Sequence, residues 1–179
     1  MPIFFIFILI LVISCLLGCS LSNKEIKIGE KAPLFKLYNQ NGEMFSLEDY
    51  KGKELVIYFF PRTFTPGWVK QACEFRDKYD IFRKNNIEVI GISYDSQKKS
   101  ESFSNKYSLK FPILSDIDKK VSKLYGIGTF LAPKRVTFLV DKNGNISDIV
   151  KNISLDNYAG KIIERFKKNN TNLESNVEK

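Results

Sequence analysis

YFFPRTFTPGWVKQACEFRD, the stretch from Tyr58 to Asp77, decides the fold because it joins a buried strand to an amphipathic helix. The run from Val56 to Phe60 is apolar and β-prone, which is typical of a central strand covered on both faces. Pro61 ends this strand because proline cannot donate a ladder hydrogen bond. From Trp68 to Phe82 the apolar residues recur at spacings of four and three, which predicts a helix with one buried face. A helix N-terminus stabilises an anion or a thiolate, so we expect any chemistry at the turn between strand and helix.

The first 23 residues carry no charged side chain, and residues 3–17 are apolar apart from Ser14 and Cys15. This run is short for a membrane span and suits a signal-peptide core. Residues 16–19, LLGC, resemble a bacterial lipobox, in which the cysteine becomes the lipidated first residue of the mature chain. We therefore expect a lipoprotein-type signal peptide at residues 1–18 and an exported protein held on a membrane by lipid on Cys19, facing the periplasm or the cell surface.

The N-terminal sequence also allows two alternatives, because the signal region has no Lys or Arg before its apolar core. One is an uncleaved anchor, which would likewise hold the protein on a membrane. The other is an ordinary secretory signal.

Composition excludes several classes of function. The net charge of +8 comes from Lys and Arg scattered along the chain rather than clustered, which argues against nucleic acid binding. The sequence has no histidine, so we expect no serine-type triad, no zinc or other metal site, and no cofactor. With Cys15 removed and Cys19 lipidated, Cys73 is left as a free thiol and no C-x-x-C pair exists for a thioredoxin-like reductase.

Strand and helix patterns alternate along the chain, which predicts one α/β layered domain. We expect a polar tether at residues 19–33, the domain at residues 34–167 and a polar, disordered tail at residues 168–179. A hairpin is predicted around Asn41-Gly42, and Ser46 with Asp49 is a capping pattern. The predicted strands are 34–38, 44–47, 56–60, 88–95, 111–114, 135–140 and 145–150, and the further helices are 96–107, 119–125 and 155–167.

The central stretch resembles the peroxiredoxins of the AhpC/TSA superfamily, specifically the monomeric bacterioferritin-comigratory or Q-type branch. The signature of that branch resembles P-x-x-x-T-x-x-C with a second cysteine five residues on. Pro61, Thr65 and Cys73 are in place, whereas Trp68 stands at the position of the peroxidatic cysteine. The resemblance covers residues 28–167 and includes the segments IGEKAPLFKL, SLEDYKGKELVIYFFP, TPG, ACEFRD, GISYDS, FPILSD, YGIG and RVTFLVDKNG. It implies a thioredoxin fold with an N-terminal β-hairpin and a central mixed sheet flanked by helices.

The resemblance also implies a chemistry, the reduction of hydrogen peroxide or organic hydroperoxides by a thiolate and a thioredoxin-like reductant. In it the Thr65 hydroxyl would bond the nucleophile and the peroxide, Arg135 would stabilise the anion, and Pro61 would shield the pocket. Cys73 would be the resolving cysteine, which attacks the oxidised nucleophile. The residues alone also permit a helix-capping Thr65, a surface Arg135, a strand-ending Pro61 and a buried, inert Cys73.

Trp68 leaves three interpretations open. It is a true tryptophan on a catalytically dead scaffold, a single-codon or sequencing change from cysteine, or a UGA codon translated as tryptophan where the organism inserts selenocysteine. An indole cannot reduce peroxide by thiolate attack. The sequence therefore predicts a thiol-dependent peroxidase if position 68 holds cysteine or selenocysteine, and otherwise a lipoprotein that acts as a binding or structural module.

Overall fold

A computed structural model of the chain describes residues 25–128, 135–151 and 154–177. The predicted signal peptide and Cys19 lie outside these residues. The strands are β1 (Lys36–Tyr38), β2 (Met44–Ser46), β3 (Glu54–Phe60), β4 (Ile87–Ser93), β5 (Ile113–Ser115), β6 (Val136–Val140) and β7 (Ile146–Lys151). The helices are α1 (Pro66–Asp77), α2 (Tyr79–Lys84), α3 (Gln97–Tyr107), α4 (Lys120–Leu124) and α5 (Tyr158–Val177), with a 3₁₀ turn at Leu47–Tyr50.

Strand β3 lies at the centre of a five-stranded mixed sheet of order β5-β4-β3-β6-β7. It pairs in parallel with β4 and antiparallel with β6, and all seven of its residues are buried. Its side chains alternate between two apolar cores. One set, Val56, Tyr58 and Phe60, packs with residues of α1, α2, α3 and α5. The other set, Leu55, Ile57 and Phe59, packs with residues of the hairpin and α4. The mixed sheet with helices on both faces and a hairpin before it confirms the expected thioredoxin fold with an N-terminal hairpin.

The hairpin and its cap follow the local sequence signals. Residues Tyr38 and Met44 pair across the turn that contains Gly42, whose φ of +82° is the left-handed value a tight turn requires. The Ser46 side chain and the Asp49 carboxylate form the predicted capping box at the start of the 3₁₀ turn. Both short-range predictions are therefore confirmed.

The long amphipathic helix predicted after the central strand is divided in two. Helix α1 ends at Asp77, and Lys78, with φ −101° and ψ 7°, connects it to α2. Phe75 and Phe82 nevertheless both reach the core and are fully buried. The spacing of apolar residues correctly predicted which side chains are buried, but it did not register the change of helix direction at Lys78.

The prediction of a free tether up to Pro33 is wrong for the part that the structure describes, because residues 25–33 pack on the domain. The Gly29 amide donates to the Ile146 carbonyl, and the Ile146 amide donates to the Glu30 carbonyl, both at 2.8 Å. Ile26 and Ala32 are buried in the core under the hairpin. The segment thus covers the edge of β7, which would otherwise expose unpaired backbone groups.

The predicted end of the last helix at Lys167 is too early, because α5 continues to Val177, through most of the residues predicted as a polar, disordered tail. Tyr158, Ile162, Ile163 and Phe166 bury the first half of this helix in the core. Once those turns are fixed, each added residue gains one hydrogen bond without a new nucleation cost, so a polar sequence can extend the helix. None of the described helices is both long and apolar enough to cross a bilayer.

Candidate active site

The turn from Pro61 to Thr65 carries the chain from β3 into α1. Thr65 is the N-cap residue and Pro66 occupies the first helical position, a place where proline's missing amide costs nothing. The Thr65 side chain makes no capping hydrogen bond, and the residue is exposed. Its hydroxyl is therefore available to a ligand, and the helix-capping alternative for this side chain is not observed.

Trp68 lies in the first turn of α1 and points into the protein. It is 7% exposed and packs against Phe60, with ring centroids 6.1 Å apart. The guanidinium carbon of Arg135 lies 3.8 Å from the centroid of the Trp68 ring, which is a close cation–π contact. The structure thus brings together two residues that are distant in sequence and that the motif places in one site.

Arg135 is half-buried at the start of β6, so it is not a simple surface residue. Within the described part of the chain its Nη1 atom is buried and has no hydrogen-bond partner. Burial lowers the pKa of the guanidinium, and the nearby Tyr158 opposes that shift. An arginine keeps its charge in proteins, so Nη1 is a charged donor that lacks an acceptor. An anionic oxygen or sulfur would supply one.

Gly67 has a role that the sequence reasoning missed. A Cβ atom at this position would lie 3.0 Å from Nη2 of Arg135 and 3.7 Å from the Leu155 side chain. The absence of a side chain at Gly67 therefore lets the guanidinium approach the first turn of α1. The Thr-Pro-Gly sequence at the start of the helix was the available signal, but only the fold shows which side chain fills the space.

The turn between β3 and α1 is fixed by hydrogen bonds to a residue that follows β4. The Thr63 amide and hydroxyl donate to the same carboxylate oxygen of Asp95, at 2.5 Å and 2.8 Å. Pro61 is half-buried where β3 ends, and no acidic residue occupies the first turn of α1. Asp95 is the last residue of the strand predicted over residues 88–95, and the sequence pattern assigned it no function. The signal was its position beside the central strand, since the carboxyl ends of neighbouring parallel strands meet at one edge.

Cys73 lies on the same helix as Trp68, about 1.4 turns further along. It is a half-buried free thiol. The hydroxyl of Tyr58 is buried, and its pKa is raised well above the ordinary value by burial and, to a smaller extent, by Cys73. Cys73 is thus not sealed in the core like Ala72 and Phe75 on either side of it.

The arrangement favours a small anion at the start of α1. The helix N-terminus, the Arg135 guanidinium and the free Thr65 hydroxyl provide positive potential and donors around position 68. Arg135 also lines a cavity of about 400 Å³ with Tyr125, Ile127 and Phe138, and Thr65 and Trp68 are not among the residues that line it. The indole of Trp68 is neutral and bulky, and it occupies the space beside the charge.

Comparison with known proteins gives concordant matches. The AhpC/TSA family model matches residues 28–149. A putative peroxiredoxin bcp of Coxiella burnetii is 40% identical over 150 residues, which are 79% of this chain and 99% of the relative. A chloroplastic peroxiredoxin Q of Sedum lineare is 44% identical over 131 residues, 72% of this chain and 70% of the relative. The structure of the bacterioferritin comigratory protein of Xanthomonas campestris, described for its alkyl peroxide reduction activity, has a TM-score of 0.74 at 25% identity, covering 79% of this chain and 98% of that one.

Proposed function

Because the chain belongs to the AhpC/TSA family, among the bcp and Q-type peroxiredoxins that its sequence resembles, we propose that it is a thiol-dependent peroxidase with its nucleophile at position 68. The nucleophile is a cysteine or a selenocysteine, and the chain with Trp68 is the inactive form of the same scaffold. The substrates are hydrogen peroxide or organic hydroperoxides. The reported alkyl peroxide reduction by the Xanthomonas relative supports the second class.

The observation that carries this proposal is the contact between position 68 and Arg135. A side chain at position 68 lies at a helix N-terminus and points to a guanidinium whose Nη1 lacks an acceptor. Both features favour thiolate over thiol, and a smaller side chain would leave room for a peroxide where the indole now lies. A protein with no peroxide to bind has no chemical reason to combine Thr65, Arg135, Pro61 and Cys73 around this position.

The reaction follows from these groups. A thiolate at position 68 attacks one peroxide oxygen, an S–O bond forms, and the O–O bond breaks. The departing oxygen takes a proton and leaves as water or an alcohol, and the nucleophile is now a sulfenic acid. Arg135 and the Thr65 hydroxyl donate hydrogen bonds as negative charge moves onto the leaving oxygen. Cys73 then attacks the sulfenic sulfur, a disulfide forms, and water leaves. A thioredoxin-like dithiol reduces that disulfide.

The binding or structural module stays as the second interpretation for a chain that truly carries tryptophan. The matches favour the peroxidase, because each of the reported relatives is a peroxiredoxin. We also propose that the protein acts as a monomer, outside the cytoplasm and tethered to a membrane through Cys19. The membrane tether rests on the lipobox-like sequence at residues 16–19, and the monomer rests on the resemblance to the monomeric Q-type branch.

The test is stopped-flow peroxide consumption by Trp68→Cys, with Trp68→Ser as the matched control. Serine has the size of cysteine and no thiolate, so the pair separates chemistry from the removal of the indole. We expect peroxide consumption with a thioredoxin donor only for Trp68→Cys. A folded Trp68→Cys variant that is as inert as Trp68→Ser would contradict the proposal and favour the binding module.

A further inference from the structure

We propose that Asp95 is a positioning residue for the nucleophile: through Thr63 it fixes the turn that aims position 68 at Arg135. This inference rests on the proposed peroxidase for its kinetic consequence. The geometric claim, that Asp95 fixes the position of residue 68 relative to Arg135, can be tested in the chain with Trp68 and does not depend on the peroxidase function.

Asp95 is built into the site as an acceptor. It is 8% exposed and follows β4 by two residues, and Ser93 at the end of β4 pairs with Phe60 at the end of β3. Its Oδ2 atom accepts from both the amide and the hydroxyl of Thr63, and the Ser93 hydroxyl lies 3.4 Å away. Its amide donates to the Ser93 hydroxyl at 3.0 Å, and Lys99 lies 3.7 Å from the other oxygen. Both carboxylate oxygens thus have partners.

The residue next to Thr63 shows why the turn needs to be held. Phe64 has a φ of +62°, a left-handed conformation that is unfavourable for a residue with a side chain. Such a conformation persists only when the surroundings impose it. Asp95 restrains the residue before Phe64, and the ring of Phe64 packs on Phe103 and Tyr107 of α3 with centroids 5.3 Å and 6.3 Å apart. Phe64 is 43% exposed, so its ring is only partly held by this packing.

The direction of α1 depends on this turn. Phe64 immediately precedes Thr65, the residue whose carbonyl accepts from the amides of Trp68 and Val69, both at 2.9 Å. If the hydrogen bonds that Thr63 donates to Asp95 are lost, the strain at Phe64 relaxes by rotation of the backbone. The first turn of α1 then moves, and position 68 moves with it relative to Arg135. Asp95 does not touch the reacting atoms, so it acts through Thr63.

The first measurement uses the chain with Trp68 as its own reporter, because Trp68 is the only tryptophan. We expect Asp95→Ala to increase the quenching of Trp68 fluorescence by acrylamide and to shift its emission to longer wavelength. Asp95→Asn, which keeps an acceptor oxygen, should have a smaller effect. Thr63→Val, which lacks the hydroxyl donor, should resemble Asp95→Ala in direction, and Thr63→Ser should resemble the parent.

The matched control is Asp116, a second buried aspartate beyond the end of a neighbouring parallel strand. Its carboxylate accepts from the amides of Val121 and Ser122 and from the Ser122 hydroxyl at the start of α4. It is 1% exposed and holds a different helix, on the other face of the sheet. Asp116→Asn should therefore change the unfolding midpoint without changing Trp68 quenching.

The second measurement is the rate of peroxide attack in the Trp68→Cys background. Catalytic geometry tolerates little displacement, so we expect Asp95→Ala to lower the second-order rate by at least about tenfold. The pH profile of alkylation at position 68 should shift to higher pH, since the thiolate loses its alignment with Arg135. Asp116→Asn should leave both the rate and the pH profile unchanged.

If the Trp68→Cys parent itself is inert, the proposed function fails, and Trp68 quenching alone decides the role of Asp95. Unchanged quenching in Asp95→Ala and Thr63→Val, or an equal change in Asp116→Asn, would overturn the inference.

Discussion

At the scale of single residues, Trp68 fills the space that the proposed reaction needs. Its indole is nearly buried and contacts Arg135 and Phe60, and a cation–π contact of this kind contributes about 0.5–2 kcal/mol. The indole therefore covers one face of the Arg135 guanidinium, whereas Nη1 still has no hydrogen-bond partner among the described residues. Removing a large buried side chain costs stability, so the activity of position 68 variants has to be compared at matched fractions of folded protein.

The purified chain with Trp68 should consume no peroxide. Cys73 is the thiol left in the domain, and in the wound helix it is about 7.5 Å further along the axis than position 68. It is thus displaced from the Thr65 hydroxyl and Arg135, which would have to stabilise the leaving oxygen. The measurement is thioredoxin-coupled peroxide consumption compared with Cys73→Ala. Consumption above that control would make Cys73 the nucleophile.

Arg135 should carry most of the electrostatic stabilisation in the Trp68→Cys enzyme. Loss of one donor from an anion-stabilising site lowers rates by roughly a hundredfold or more, so we expect Arg135→Ala to have an effect of that size. Arg135→Lys is the matched control, because it keeps the charge and lacks the planar group that reaches over position 68. The initial rate of peroxide consumption at saturating reductant checks this. Equal rates for the Trp68→Cys parent and its Arg135→Ala variant would remove Arg135 from the site.

At the scale of secondary-structure elements, α1 has two incompatible tasks. When α1 is helical from Pro66 to Asp77, it places position 68 beside Arg135. In the same state, Cys73 lies further along the continuous helix, away from position 68. A disulfide needs Cα atoms closer than about 7 Å, whereas five helical residues rise by about 7.5 Å. In the proposed reaction, the first turns of α1 must therefore unwind before a disulfide between positions 68 and 73 can form.

The expected product in Trp68→Cys is a disulfide between positions 68 and 73 with partial loss of α1. One equivalent of peroxide should give the intramolecular disulfide in peptide mass spectrometry, together with faster amide exchange in residues 67–72. The far end of the helix should stay protected, because Phe75 packs against Tyr58, Phe82 and Tyr158. In the Trp68→Cys, Cys73→Ser double variant the helix should stay protected after peroxide. Disulfide formation with unchanged exchange would contradict the unwinding.

The secondary-structure elements differ in how well the sequence predicted them. Spacing identified the central strand, the hairpin and the buried faces of the helices, because these depend on local periodicity. It missed the break at Lys78, which leaves Phe75 and Phe82 both buried, and the continuation of α5 to Val177, because the sequence after Phe166 is mostly polar. It also gave no role to Gly67 or Asp95. Their roles depend on contacts with Arg135 and Thr63, which only the folded chain brings near.

At the scale of the whole molecule, the N-terminal segment belongs to the domain from Glu25 onward. Its backbone bonds to residues 144–146, and Glu25 pairs with Lys151 at 2.8 Å. Sequence alone described this segment as a tether, because its charges and Gly29 are typical of linkers. What remains between Cys19 and Glu25 can span at most about 3.5 Å per residue. If the lipid anchor is present, the domain is held close to the membrane.

Lipid attachment is a prediction that Cys19→Ala tests directly. Labelling with a radioactive fatty acid should mark the wild type and not the variant, and the variant should leave the membrane fraction or keep its signal peptide. Cys15→Ala is the matched control, since Cys15 lies within the predicted signal peptide. A wild type without label would exclude the lipoprotein and leave the uncleaved anchor or the ordinary secretory signal.

The central claim is that position 68 of the functional protein is a chalcogen nucleophile. The direct measurement is tandem mass spectrometry of the peptide that contains residue 68, taken from protein isolated from its native cells and alkylated before digestion. We predict an alkylated cysteine or selenocysteine at that position. Tryptophan at position 68 in every native molecule would contradict the account, and the scaffold would then be a binding module whose Arg135 is permanently covered by an indole.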